Sequence, residues 1–537
     1  MRSFIVFFLS LCLLLSGASA EAEQTVIQLG ESILVNGQAI SEDTAAQVYL
    51  AYQTEIHGDV PEDLQGLENR VVTITEGGVY RLSGTGEDVQ IAVRAGEEDN
   101  VRLILDGVDI TCRTSSAIAV YSARDPKAAG EYAVTIELAG GSENRVTGSH
   151  TASVEETDIK LDGAICSLVS LGIEGDGSLT VDADNEGIEV KFGHMTINGG
   201  VMDIQSGDDP LNVSEDGVGV LTMNGGYVFS AVKNAAGGEG DGIDSNGWIV
   251  FNGGTAINLA HPSSQDGGID SDMGSTINGG VIVGAGNMYD PIEADSAQLF
   301  MMLEFAESTD DLLVVTDQAG KPVFAYDFPH DYMYIAFSTP DLKEGEIYRV
   351  YLGGEIEGEQ RNGLYSSITA YTPGRQMVHG EGNAEQRGMM PAPDGMGQQG
   401  GFNPMQGQRG GAPDMPGMQG AMGDMNAWMG AANALAALDL NEILKDADLN
   451  EVLKDVDLND LLTGVSITAL LTEEQIKEYF GDVDAAALDM ALQMNHGFGG
   501  FGGGMRGMAS SADVATADFR LTRESTGFTN VSTAEKN

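Results

Sequence analysis

The 537-residue sequence predicts an all-β chain: a right-handed parallel β-helix, or solenoid, with a small β cap, then a disordered linker and a short helical C-terminal segment. Three observations carry that expectation. The triplet Asn-Gly-Gly recurs after short apolar strands at Asn198, Asn224, Asn252 and Asn278, at intervals of 26, 28 and 26 residues. A second series, "GAIC", "EGIE", "DPLN", "DGID" and "GGID", sets Ile165, Ile188, Leu211, Ile243 and Ile269 upstream of the first. Stretches between them, such as "VMDIQSG" and "SLTVDAD", alternate with period two, the pattern of strands and not of helices.

The two series keep a common register. From each upstream apolar residue to the one before the Gly-rich turn (Ile173, Ile197, Met223, Phe251, Ile277) the offsets are 8, 9, 12, 8 and 8. A near-constant offset with small insertions means stacked repeats whose insertions fall in loops. About three short strands per repeat gives the solenoid. Asn-Gly suits corners that need φ > 0, and Asn at equivalent corners can stack as a hydrogen-bonded ladder.

The elements follow in order. Residues 1–20 read as a signal peptide: Met1-Arg2 is the cationic head, Phe4 to Leu15 the apolar core, and Ala18-Ser19-Ala20 the cleavage site. No second long apolar run follows, so the expectation is a secreted or cell-surface chain without a transmembrane segment. Residues 21–68 form a polar leader and N-terminal cap, 69–297 the coils, and 298–372 a β cap over the last strand edges. Residues 373–424, rich in Gly, Met, Pro and Gln, form the linker. Residues 425–496 carry the nonapeptides "DLNEILKDA", "DLNEVLKDV" and "DLNDLLTGV" and read as short helices, the expected place for a cell-surface or protein partner. Residues 497–537 are expected to be a disordered tail.

Composition narrows the function. With 26 basic residues against 82 acidic, the formal charge is −56, which excludes a nucleic-acid binder because that footprint must be basic. An anionic ligand would meet repulsion everywhere unless divalent cations intervene. Cys112 and Cys166 are the only cysteines beyond the signal segment and read as two buried thiols more readily than as a bridge. The seven histidines fall at no zinc-ligand spacing.

The pleat that turns Ile243 inward turns Asp244 outward, so Glu189, Asn212, Asp244 and Asp270 should form one column of oxygen ligands. Glu186, Asp209 and Asp241 make a second column at the adjoining corner, with Asp208, Asp266 and Asp272 close by. Coils stack about 4.8 Å apart, and carboxylates at that spacing repel unless a cation sits between them. Ca²⁺ suits an oxygen-only, flexible ligand set; the plainer alternative is that Asp and Asn are simply good turn residues. For a glycan, Lys191 and Trp248 are the candidate contacts: a cation beside the column and a ring for sugar stacking. Glycoside hydrolysis would need a catalytic carboxylate pair, which a regular ladder fits less well than metal binding.

The block "GVYRLSGTGEDVQIAVRAGEEDNVRLILDGVDITCRTSSAIAVYSA" (78–123) resembles the N-terminal signature of a bacterial family of secreted, calcium-binding, carbohydrate-binding β-helix proteins. "GAICSLVSLGIEGDGSLTV", "GDGIDSNGWIVFNGG", "SSQDGGIDSDMGSTINGG" and "STPDLKEGEIYRVYLGG" extend the resemblance over residues 70–372. It implies a pectate-lyase-like fold, bound Ca²⁺ and affinity for acidic plant cell-wall polysaccharide such as pectin or polygalacturonate, without established cleavage. The chain departs from the family's acid-Gly-Ile triplet at "GAIC" and "DPLN". Two alternatives stand beside this reading: a calcium-dependent polysaccharide lyase, and a structural surface or adhesion protein.

Overall fold

The computed structural model describes residues 24–53, 62, 64–150, 160–379, 517–523 and 526–533. The signal segment, the nonapeptide segment 425–496 and most of the linker lie outside the described residues. What is described is all-β, with parallel pairing predominant; no helix long and apolar enough to cross a membrane occurs there.

The parallel strands form three ladders, and each turn of chain adds one strand to each. The first runs through Asn69–Ile74, Val89–Arg94, Ile118–Ser122, Gly163–Ser167, Glu186–Val190, Leu211–Val213, Asp244–Ser245 and Asp270–Ser271. The second holds Val134–Leu138, Leu171–Gly175, His194–Ile197, Val220–Met223, Trp248–Phe251 and Gly274–Ile277. The third holds Glu143–Gly148, Ser178–Ala183, Val201–Ser206, Tyr227–Val232, Thr255–Leu259 and Val281–Gly286. Register is exact where the sequence repeats align: Ile173, Ile197, Met223, Phe251 and Ile277 form one continuous buried column.

Sequence explains the corners as well. In each Asn-Gly-Gly the second glycine (Gly200, Gly226, Gly254, Gly280) has φ between +86 and +99°, a conformation that L side chains resist. A Cβ on the first would lie 2.9 Å (Gly225) or 2.8 Å (Gly253) from the carbonyl oxygen of the asparagine one coil earlier, so only glycine lets the coils close up. The asparagines themselves chain together. The Nδ2 groups of Asn224, Asn252 and Asn278 donate to the Oδ1 of the preceding Asn at 2.8, 2.9 and 2.9 Å.

Inside the coils the core is aliphatic, with Leu, Ile and Val dominant and Phe251 one of few rings. The strands beyond it change both direction and chemistry. Val281–Gly286 pairs antiparallel with Tyr332–Ser338, which also pairs antiparallel with Phe300–Thr309. Leu313–Asp317, Pro322–Tyr326, Ile347–Arg361 and Leu364–His379 continue antiparallel. Their core is aromatic: Phe324 and Phe337 stack at 3.9 Å, and Phe328 meets Phe305 and Tyr326 edge-on.

Two expectations at the C-terminal side need correction. The strand Leu364–His379 runs through Pro373 into the stretch read as linker, because Met377 and Val378 are buried in the cap. The stretch read as a disordered tail returns as two strands, Phe519–Arg520 against Ile347–Arg361 and Gly527–Thr533 between Phe300–Thr309 and Leu364–His379. Its polar composition hides two anchors, Phe519 and Leu521, buried in the aromatic core. Cys112 and Cys166 are free and buried.

Candidate metal centre

The first ladder sets the site. Cys166, Glu189, Asn212, Asp244 and Asp270 are directly paired across successive strands. Upstream the same column holds Thr73, Ala92 and Ala119. It is therefore uncharged in the early coils, where Leu161 packs on Ala119 and Cys166, and becomes acidic from Glu189 onward. Glu186, Asp209 and Asp241 occupy the corner before it, tied by backbone amides: Asp241 N donates to Asp209 Oδ1 at 2.7 Å, and Gly267 N to Asp241 Oδ1 at 2.6 Å.

Glu189 differs from the rungs below it. It is almost fully buried, at 1% exposed, yet its charge is matched inside the protein. Lys191 Nζ lies 2.5 Å from Glu189 Oε1 and 2.6 Å from Asp162 Oδ2, and Ser214 Oγ donates to Glu189 Oε1 at 2.8 Å. Burial raises the Glu189 carboxyl, and Lys191 opposes that rise. Burial also weighs against the Lys191 ammonium, but Glu189 and Asp162 outweigh it and raise the group above its usual range. The lysine read as a glycan contact is thus engaged within the protein.

Next along the column, Asn212 works as a neutral spacer. Its amide donates to Glu186 Oε1 at 3.2 Å and to Asp209 Oδ2 at 3.4 Å. Glu186 is 7% exposed, and its second oxygen, Oε2, is buried with no hydrogen-bond partner. Burial and then the Asp209 charge push the Glu186 carboxyl well above the carboxylate range. Asp209 is raised likewise by burial and then by Asp244.

The downstream rungs converge. One carboxylate oxygen from each of Asp241, Asp244 and Asp270 lies within 4.8 Å of the others. Among the described residues no lysine, arginine or histidine pairs with any of them. Asp241 is pushed up to about 9, by burial and then by Asp270 and Asp209. Burial and Asp272 take Asp244 to about 7. Asp270 rises to about 8 through burial and a hydrogen bond with Asp290. Carboxyls buried and crowded in this way resist ionisation.

The remaining expected ligands flank this centre. Asp208 is raised by burial and then Glu239, and exposed Asp272 by burial and then Asp216. Asp266 accepts from Gly240 N at 2.8 Å, bracing the corner. Trp248 opens its strand on the second ladder, 37% exposed. Sequence patterning does not mark Asp290, which meets Asp270 and accepts from Ser271 N at 3.2 Å. Its signal was present: "DPIE" at 290–293 repeats the Asp-Pro-apolar order of "DPLN" at 209–212.

Residues 68–298 match a family model described as carbohydrate-binding domain-containing protein. A relative of the same description from Acetivibrio thermocellus is 36% identical over 149 residues, 27% of this chain and 49% of the relative. The chain thus spans about half the length of the curated relative it matches. A solved structure, described as the polysaccharide lyase-like protein from C. thermocellum in a gadolinium derivative, is 25% identical. It covers 48% of this chain and 92% of its own, at a TM-score of 0.33.

Proposed function

We propose that this chain is a secreted, right-handed parallel β-helix protein that binds acidic plant cell-wall polysaccharide, pectin or polygalacturonate, through Ca²⁺ held on the acidic columns. The observation that carries the reading is the acidic cluster: one oxygen each of Asp241, Asp244 and Asp270 within 4.8 Å, with no basic side chain paired to them among the described residues, and, earlier in the same corner series, the buried and partnerless Glu186 Oε2. Leaving a buried carboxylate oxygen unpaired costs free energy, and a hard cation supplies what no protein donor does. Oxygen-only donors at uneven spacing suit Ca²⁺, which takes roughly six to eight oxygens in flexible geometry, better than octahedral Mg²⁺. Asp241, Asp244, Asp270 and Asp290 would hold one ion, and Glu186, Asp209 and Asn212 would border a second.

Such ions answer the charge problem. A polyuronate cannot approach a chain of charge −56 unaided; a cation shared between protein and uronate carboxylates lets two polyanions meet. The family match over residues 68–298 supports carbohydrate as the ligand. Binding is favoured over a lyase reaction because Lys191, the cation nearest the column, is held protonated by two carboxylates and so is no proton acceptor. The test is binding of polygalacturonate in calcium and then in a chelator, with the absorbance of unsaturated uronate followed in parallel. Retention by the chelated protein would sink the calcium-bridged reading; accumulating unsaturated uronate would replace binding with cleavage.

A further inference from the structure

The coils hide their large apolar side chains well, with an orderly exception at one corner, besides Met288 and Tyr289 after the last parallel strand of the coils. Phe192, Val218, Trp248 and Met273 are between 37 and 49% exposed. They occur once each on four successive coils, at the corner where the first ladder hands over to the second. Their positions are linked coil to coil. Trp248 N donates to Gly219 O, beside Val218, at 2.9 Å, and Met273 N donates to Gly247 O, beside Trp248, at 2.9 Å. Phe192 and Val218 each precede by two residues the paired His194 and Val220, while Trp248 itself pairs with Val220 and with Gly274, the residue after Met273. They follow the acidic column by only three, six, four and three residues, counting from Glu189, Asn212, Asp244 and Asp270.

Repetition makes this a surface and not a scatter. Single exposed apolar residues need no explanation, but a contiguous apolar strip marks an interaction site. The outward residues of the second-ladder strands beside the strip are themselves uncharged, with Glu293 of the following segment set against Gly274. On the outer side of the second ladder, Val220, Thr222 and Asn224 are followed by Trp248, Val250 and Asn252 and then by Gly274, Thr276 and Asn278. In a chain with 82 acidic residues, three adjacent strands whose own outward residues are all uncharged stand against the prevailing composition.

We propose that Phe192, Val218, Trp248 and Met273 are a stacking strip on which the pyranose rings of a glycan lie, its chain running along the coil axis while its carboxylates meet the acidic column. The inference rests on the calcium-bridged reading above and adds the strip, the orientation and the anchor. A pyranose has the matching anatomy: a C–H face for the rings and aliphatic groups, and polar edges for ions. A second copy of this chain is the poorer occupant, since two surfaces this acidic would have to bury their carboxylates against each other. A strip one residue wide and several coils long also fits a linear polymer better than a globular partner, whose interface spreads over a broad patch.

The experiment uses full-length mature protein and polygalacturonate in calcium. Trp248→Ala should weaken binding about tenfold, the scale of losing one well-buried aromatic contact, and Phe192→Ala less. Calcium affinity measured without glycan should stay unchanged in both variants. Only Trp248 and Trp428 can fluoresce as tryptophan, so Trp428→Phe leaves Trp248 as the reporter, and its emission should shift when polygalacturonate is added. Undiminished affinity in Trp248→Ala together with a silent reporter overturns the strip and leaves the calcium site standing. Self-association that Trp248→Ala abolishes also overturns it, in favour of a second copy. Failure of the unmutated protein to bind polygalacturonate in calcium removes both proposals.

Discussion

Two columns run along the same coils and solve the same stacking problem with different chemistry. At the Asn-Gly-Gly corner, Asn198, Asn224, Asn252 and Asn278 join amide to carbonyl at 2.8 to 2.9 Å. The ends are closed as well, by Tyr132 at 2.8 Å and by the amide of Ala297 at 3.3 Å. An amide carries donor and acceptor together, so a stack of amides satisfies itself. A carboxylate is acceptor only, so a stack of carboxylates cannot. The acidic column has one internal cation, Lys191 on Glu189, and below Asn212 no basic side chain pairs with it among the described residues. The lesson is that a repeat geometry fixes distances, and the side chain at the repeat decides whether the column is finished or waits for a ligand.

The sharpest way to break this contrast is to remove the internal cation. Lys191→Met leaves Glu189 and Asp162 facing each other in a buried setting, and should cost about 3–5 kcal/mol in denaturant unfolding. Adding Glu189→Gln should return much of that loss. If Lys191→Met unfolds like the unmodified protein, Glu189 is not matched from within, and the distinction between upstream and downstream rungs falls.

The second change turns acidic rungs into amide ones. Asp244→Asn with Asp270→Asn should abolish the calcium-induced gain in stability, which reaches about 2.7 kcal/mol at a hundredfold excess over Kd, along with calcium-dependent glycan binding. The metal-free double variant should nevertheless melt higher than metal-free wild type, since repulsion is removed. A wild-type melting curve that ignores calcium would show that the rungs are turn residues only.

The third uses pH. Asp241, Asp244 and Asp270 have carboxyls raised in the folded state to about 9, 7 and 8 from a starting value of 3.8. Folding therefore favours their protonated forms: the stabilisation is whole below the unfolded value and is lost as pH climbs through 7 to 9. The stability of the metal-free protein should fall steadily between pH 6 and pH 9, and saturating calcium should flatten that slope. A metal-free stability that rises over this interval contradicts the clustered geometry.

What could be read in advance follows the same division. The buried column Ile173–Ile277 and the register of Glu189, Asn212, Asp244 and Asp270 are legible because each repeat must place the same side chain on the same face. The pairing of Lys191 with Asp162 is not, since Asp162 comes from a connection outside the repeat, 29 residues away. Asp290 escapes for a related reason: the chain has left the 26-residue interval when it supplies that carboxylate. The returning strands Phe519–Arg520 and Gly527–Thr533 belong to the cap, where long-range packing of Phe519 and Leu521 overrides a polar composition.

The smallest expected effect tests the self-sufficient column from inside. Asn252 donates to Asn224 and accepts from Asn278 on an exposed edge, so Asn252→Ala should cost about 1 kcal/mol. Asn252→Asp is the more informative change, because it keeps the shape and the acceptor and deletes only the donor. At neutral pH it should cost at least as much as the alanine, with Asn224 Oδ1 now facing a carboxylate. Below about pH 4 the new carboxyl regains a proton and with it a donor, so the penalty should shrink on acidification, opposite to the response expected of an acid held by a cation. A penalty independent of pH would mean that the amide chain contributes packing alone, and that the two columns differ less in chemistry than in place.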